Sequence, residues 1–168
     1  MKKTLCLLMI LALAFSLSGC SSTANKLEKH LELNFPTIEE ITEEDSHGGF
    51  LGDGKLFIKI KFENGTLEEQ LKGWNKLPLT PNIEKAVYGS TEKVGEDEII
   101  SFGSLFADEE GKTEVPLIEN GYYYFYDRHS ESDNPFSDEY LHSRYSYNFT
   151  LAMYDCDNHT LYYMEFDT

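Results

Sequence analysis

The chain has 168 residues, with 14 Lys or Arg against 30 Asp or Glu, for a formal charge of −16 at neutral pH. That balance excludes a nucleic-acid binder, which needs a basic face to displace counterions from phosphates. With 40% hydrophobic and 26% charged residues, the composition is too apolar for disorder and too polar for a membrane-spanning protein.

At the N-terminus, Lys2 and Lys3 precede an eleven-residue apolar run, Leu5 to Phe15, and then Ser16-Leu17-Ser18-Gly19-Cys20. A helix of that length falls well short of the roughly 30 Å hydrocarbon core, so an export signal is expected and a spanning helix is not. Leu17-Ser18-Gly19-Cys20 resembles the lipobox of bacterial lipoproteins, a branched residue and two small ones ahead of the acylated Cys. The resemblance implies a signal peptide over residues 1–19 and diacylglycerol on the Cys20 thiol. It also implies attachment to the extracytoplasmic face of the cell membrane through acyl chains, two of which hold firmly where one does not. An ordinary secretory signal with a coincidental Cys is the alternative. Loss of Lys2 and Lys3 would leave 12 basic against 30 acidic residues, a charge of −18, which anionic head groups repel. Residues 20–25 read as lipidated Cys and tether, and 26–168 as one domain.

Cys6 belongs to the signal and Cys20 to the lipid, so the mature chain keeps Cys156 alone. No intramolecular disulfide is then available, and stability must come from the core. Asp155 and Asp157 flank Cys156 and oppose thiolate formation, which favours a structural cysteine over a nucleophile.

Lys26 to Leu33 carries Leu27 and Leu31, with His30 beside them, at helical spacing. Leu56, Ile58, Ile60 and Phe62 alternate with Phe57, Lys59 and Lys61, the signature of a strand with one buried face. Asn64-Gly65 ends it, and Thr66 with Glu69 forms a capping box that predicts a helix to about Lys72, stopped by Gly73. The two prolines of Leu77-Pro78-Leu79-Thr80-Pro81 demand irregular chain. A short helix from Ile83 to Tyr88, closed by Gly89, follows. Strands are expected at Glu98 to Phe106, Gly121 to Asp127, Tyr145 to Tyr154 and Leu161 to Asp167. The last two are joined by turn chemistry from Asp155 to Thr160 into a C-terminal β-hairpin. Clustered strands with few helices between them predict an α+β fold, an antiparallel sheet with short helices packed on one face.

Functional chemistry is sparse. Gly49 to Lys55 satisfies G-x-x-x-x-G-K, but Leu56 stands where a P-loop needs Ser or Thr, and a strand follows where a helix should cradle phosphate. No nucleotide is therefore expected. The stretch Asp127 to Glu139 is long for a connection between strands. It offers Asp127, His129, Glu131, Asp133 and Asp138 as a weak cation or ligand site, with Ca²⁺ the fitting ion. His47 and Asp53 flank a glycine-rich loop that forms a second candidate site. Asp155, Asp157 and His159 alternate like a calcium loop but lack its Gly and its closing Glu. No nucleophile elbow or H-E-x-x-H occurs. The aromatics of the late strands, among them Tyr122 to Tyr126, suit either core filling or a stacking platform for a protein or glycan partner.

Ser46 to Gly54, Trp74 ahead of Leu77-Pro78-Leu79, Asn120 to Phe125 and Leu161-Tyr162-Tyr163 together resemble segments of small lipoproteins of Gram-positive-type bacteria. That resemblance implies an address and brings no activity with it. A non-catalytic binding or assembly module is the leading expectation. A hydrolase using loop carboxylates with His129 or His47 is the alternative, and it requires His47, Asp53 and His129 to converge.

Overall fold

The structure, a computed structural model, describes residues 23–48, 52–64, 67–94 and 98–168. Cys20, the signal segment, Gly49 to Leu51 and the capping residue Thr66 lie outside these. Helix α1 spans residues 23–31. It is followed by β1 (Thr37–Asp45), β2 (Gly54–Asn64), β3 (Asn75–Lys76), α2 (Pro81–Tyr88), β4 (Ser90–Val94), β5 (Glu98–Phe102), β6 (Gly121–Asp127), β7 (Asn148–Asp155) and β8 (Thr160–Asp167). Six strands form one sheet in the order β1-β2-β8-β7-β6-β3, and β4 pairs with β5 apart from it. Every pairing is antiparallel. The described residues thus form mostly antiparallel sheet with two short helices.

The C-terminal hairpin forms as its turn residues predict. Asp155 Oδ1 accepts the amides of Asp157 (2.9 Å) and Asn158 (3.1 Å), an Asx turn that leaves His159 at φ 49°. The hairpin occupies the middle of the sheet, and its side chains alternate between two cores. Phe149, Leu151, Met153, Tyr162 and Met164 enter one core with Phe57, Tyr123 and Phe125. Ala152, Tyr154, Leu161 and Tyr163 enter the other with Ile58, Ile60 and Phe62.

The helices take opposite faces, which corrects the expectation that both pack on one. Ile83, Ala86 and Val87 of α2 join the first core, while Leu27 and Leu31 of α1 join the second. A sheet whose central strands are apolar on both sides has two faces to shield from water. Helix α2 is well specified locally. Thr80 Oγ1 accepts the Ile83 amide at 3.3 Å, Pro81 opens the helix, and Gly89 ends it at φ 74°. A Cβ at Gly89 would strike the Phe102 carbonyl, so only glycine fits there. The last carbonyls of α2 are satisfied from outside, Ala86 O by Leu105 N at 2.9 Å and Val87 O by Ser104 Oγ at 2.6 Å and Thr113 Oγ1 at 2.8 Å.

Four other expectations change. The helix expected up to Lys72 is, over the described residues, a series of tight turns, Gln70 N to Leu67 O (2.8 Å), Leu71 N to Glu68 O (3.2 Å) and Trp74 N to Leu71 O (2.9 Å). Leu67 and Leu71 are nevertheless fully buried. The strand expected from Glu98 stops at Phe102 because its partner is the short β4, and the one expected from Tyr145 starts at Asn148, leaving Tyr145 wholly exposed. Helix α1 begins no later than Thr23, with Ala24 buried and Thr23 Oγ1 donating to Glu43 at 2.7 Å. The tether expected over residues 20–25 therefore loses its second half to the helix.

Two measurements check this packing. Leu151 is 0% exposed, so Leu151→Ala is expected to cost about 2–5 kcal/mol in chemical denaturation; a loss below about 1 kcal/mol would place its face in solvent. Burial, ahead of the neighbouring Glu68, Asp157 and Asp155 charges, pushes the Cys156 thiol from 9.0 up to about 11. It likewise raises the Tyr162 hydroxyl from 10.0 to about 12. These groups stay neutral in the folded chain after they ionise in the unfolded one. Their contribution is complete below pH 9 and is lost as pH rises toward 11–12. The urea midpoint should hold to about pH 9 and then fall across that window.

Candidate functional site

The polar end of the sheet, where β2 begins and β8 ends, gathers part of the first candidate set. Ser46 N bonds Lys55 O at 2.9 Å, and this brings the His47 backbone so close that a Cβ at Gly54 would lie 2.7 Å from His47 N. His47 Nδ1 then pairs with Asp45 Oδ1 at 2.7 Å and Nε2 with Asp167 Oδ2 at 3.2 Å. Hydrogen bonding from the His47 backbone and ring holds the Asp45 carboxyl below its ordinary value. From the other side Arg128 Nη2 reaches Asp167 Oδ1 at 3.0 Å and the Phe149 carbonyl at 3.0 Å. Asp167 therefore bridges His47 and Arg128 across the strand ends, with β8 held between the loops that precede β2 and follow β6.

His129 does not join them. Its ring Nε2 pairs with Ser146 Oγ at 3.1 Å, and Nδ1 accepts the Glu131 amide at 3.2 Å. Asp53 lies exposed in the turn entering β2. His47 and His129 thus have separate partners, and no hydrogen bond among the described residues joins either of them to Asp53. Lys55, the lysine of the glycine-rich loop, lies within β2, where its ammonium meets Glu114 at 2.6 Å and the Ala107 carbonyl at 2.7 Å.

The Asp127 to Glu139 acids also go to separate partners. Asp127 is 5% exposed and bonds Arg144 Nη1 at 2.5 Å and the His129 amide at 3.1 Å. Asp138 accepts from the Thr80 hydroxyl, and its carbonyl takes Asn82 Nδ2 at 2.9 Å. Glu131 and Asp133 are exposed. Among the described residues no group of three or more His, Cys, Asp or Glu is placed to hold a metal ion, so the calcium site expected on this loop has no assembled ligand set. What the loop does instead is structural. Asp127 N donates to Pro135 O at 2.6 Å, covering an outer edge of β6. Leu141 is buried under α2 in the first core.

The loop also delivers a feature that sequence reading did not isolate. Phe136, 64% exposed, stands edge-on to Tyr124 (6.4 Å between centroids) and Tyr126 (5.5 Å), which are stacked on each other. Trp74 lies 5.7 Å from Tyr124 on the same face. With His30 and Glu32 at the end of α1, Trp74, Tyr124 and Phe136 border a cleft of about 400 Å³. Burial, then Tyr126 and the Glu32 carboxylate, push the Tyr124 hydroxyl pKa up. Glu32 holds φ 55°, and Leu33 N reaches back to Glu28 O at 2.9 Å. This helix end is usually given to Gly or Asn. The tyrosine alternation of β6 was the only sequence signal for the cleft. Tyr123 and Phe125 point into the first core, whereas Tyr122, Tyr124 and Tyr126 remain half-buried on the other face.

Comparisons with protein-family models, curated proteins and solved structures find no match.

The Asp127–Arg144 pair has a measurable consequence. Arg144→Ala leaves a carboxylate buried without its cation, and the expected loss in chemical denaturation is about 3–5 kcal/mol. Asp127→Asn combined with Arg144→Met should recover most of it, since the uncompensated charge is then gone.

Proposed function

We propose that this protein is a lipid-anchored, extracytoplasmic binding module of α+β class, held to the cell membrane through Cys20, and that it performs no catalysis. The single observation that supports a binding role is the aromatic cleft of Trp74, Tyr124 and Phe136, with Tyr126 stacked on Tyr124. Large rings left partly open on a sheet face, beside a concavity, suit a partner that presents a flat apolar surface, a pyranose ring or an aromatic side chain. The anchor rests on the lipobox resemblance of Leu17-Ser18-Gly19-Cys20 and on a preceding apolar run too short to span a bilayer. The hydrolase alternative has less to stand on, because His47 and His129 are engaged with different partners and, among the described residues, no hydrogen bond joins either of them to Asp53.

Two experiments test the halves separately. Cys20→Ala should move the protein from the membrane fraction to the soluble extracytoplasmic fraction; retention equal to wild type would end the anchor reading. Trp74 is the sole tryptophan and reports on the cleft directly. Its emission should shift on titration with neutral oligosaccharides of three to five pyranoses or with aromatic peptides. Tyr124→Ala and Phe136→Ala should each weaken the response about tenfold, consistent with a lost stacking contact of 1–3 kcal/mol.

A further inference from the structure

The rings of the aromatic cleft are set as a corner and not as a platform. Phe136 stands at 72° to Tyr124 and at 75° to Tyr126, while Trp74 is tilted by 36° to Tyr124. A flat ligand needs one open ring face, whereas rings set at an angle enclose a rounded group from two sides. On the reading of this cleft as the protein's binding site, we propose that its ligand is a trimethylammonium cation, held by cation–π attraction to Trp74, Tyr124 and Phe136 and by the charge of Glu32.

The electrostatics of the lining have one sign. Glu32 is its one carboxylate, and no lysine or arginine lines the cleft with it. Among the described residues Glu32 forms no ion pair and no hydrogen bond, and its charge reaches the Tyr124 hydroxyl. Leu31, the last residue of α1, also lines the cleft, so the partial negative charge of the helix C-terminus falls beside the rings. The ring faces carry the negative side of their quadrupoles. Carboxylate, helix end and ring faces together complement a cation. Glu32 holds φ 55°, a conformation that strains any residue with a Cβ. That strain places a carboxylate beside the rings where a glycine would end the helix more easily.

Hydrogen bonding separates a quaternary ammonium from a sugar or a primary amine. Gln70, in the wall of the cleft, has already spent its amide: Oε1 accepts the Asn34 amide at 2.7 Å, and Nε2 donates to the Asn34 carbonyl at 2.8 Å. The His30 ring meets Tyr163 edge to face at 5.8 Å, and Tyr163 lines the neighbouring cavity of about 280 Å³ beneath α1. A pyranose or a primary ammonium arrives with several donors to satisfy, whereas a trimethylammonium presents methyl groups and asks for no acceptor. A wall of rings with its amide already engaged suits the methyl groups, and Glu32 supplies the counter-charge.

Titration of the full chain in a nonionic detergent, at ionic strength held constant with sodium chloride, tests this by Trp74 emission and by calorimetry. The probes are choline, phosphocholine and neohexyl alcohol, the uncharged carbon isostere of choline. Choline is expected to saturate, and the isostere to bind about tenfold more weakly. Tighter binding of choline identifies a free solute as the source of the cation, and tighter binding of phosphocholine a headgroup. Glu32→Gly removes the carboxylate and suits the left-handed backbone. Its thermal midpoint should therefore hold or rise while choline binding weakens about tenfold. Phe136→Leu, at an exposed position, should weaken choline about fivefold. The proposal is overturned if neither cation saturates, if the isostere binds as tightly as choline, or if folded Glu32→Gly keeps wild-type affinity. Binding of oligosaccharides or aromatic peptides without choline would reject the cation and leave the cleft a binding site; silence from every probe would reject both.

Discussion

Everything in this molecule leans on two strands that are buried on both sides. Strand β7 is buried from Phe149 to Asp155 and β8 from Thr160 to Met164, so the hairpin has no face left for water. A half-buried antiparallel sheet needs one covering layer, whereas this one needs two. The layers are unlike each other. One is α1 together with the turns that bury Leu67 and Leu71. The other is α2 with the segment that inserts Phe106, Val115 and Ile118. Helix α2, at eight residues, is too short to be stable alone; it persists because the hairpin presents an apolar face to it.

The elements that were legible in the sequence are those whose local chemistry and burial agree. Helix α2 carries its own cap, its opening proline and its closing glycine, and β6 and the C-terminal hairpin alternate under well-marked turns. Strand β1 was missed for an instructive reason. Its only apolar residues, Ile38 and Ile41, are three apart, a helical spacing. Register shifts between Thr37 and Glu40 absorb the odd residue, so that Ile38 pairs with Phe62 and Ile41 with Ile60 on one face. The remaining positions include Glu39, Glu40, Glu43 and Glu44, suitable for an edge that must not pair with another chain and uninformative about a strand. Over residues 67–74 the error ran the other way. Leu67 and Leu71 bury themselves at helical spacing, but the chain between them closes tighter turns.

The candidate surfaces were less legible, because they are assembled across long sequence separations. Asp167 meets His47 across 120 residues, and the cavity beneath α1 joins residues from 23 to 165. The candidates singled out by adjacency in the sequence, the acids after Asp127 and the glycine-rich loop, turn out to organise the fold. Asp127 anchors Arg144, Asp138 steadies the start of α2, and Gly54 admits the His47 backbone. The two concavities instead arise where α1 lies across the sheet and leaves open ground at either side of His30. One side is lined by the rings of Trp74, Tyr124 and Phe136, and the other by Leu56, Ile58 and Tyr163 with the carboxylates of Glu43, Asp45 and Glu165, a division set by which strand residues share that face.

The strand order has a consequence for how the chain comes into being. Strands β8 and β7, at the centre of the sheet, follow all its other strands in the sequence, and β2 can join β6 only through them. Until residues 148–167 are available, the earlier strands are two separated groups, β1-β2 and β6-β3, with no shared core to close. An N-terminal portion emerging from a ribosome therefore has little native tertiary structure of its own. The sheet can close only once β8 is available, so a chain lacking that strand would lose the connection between the two halves of the sheet.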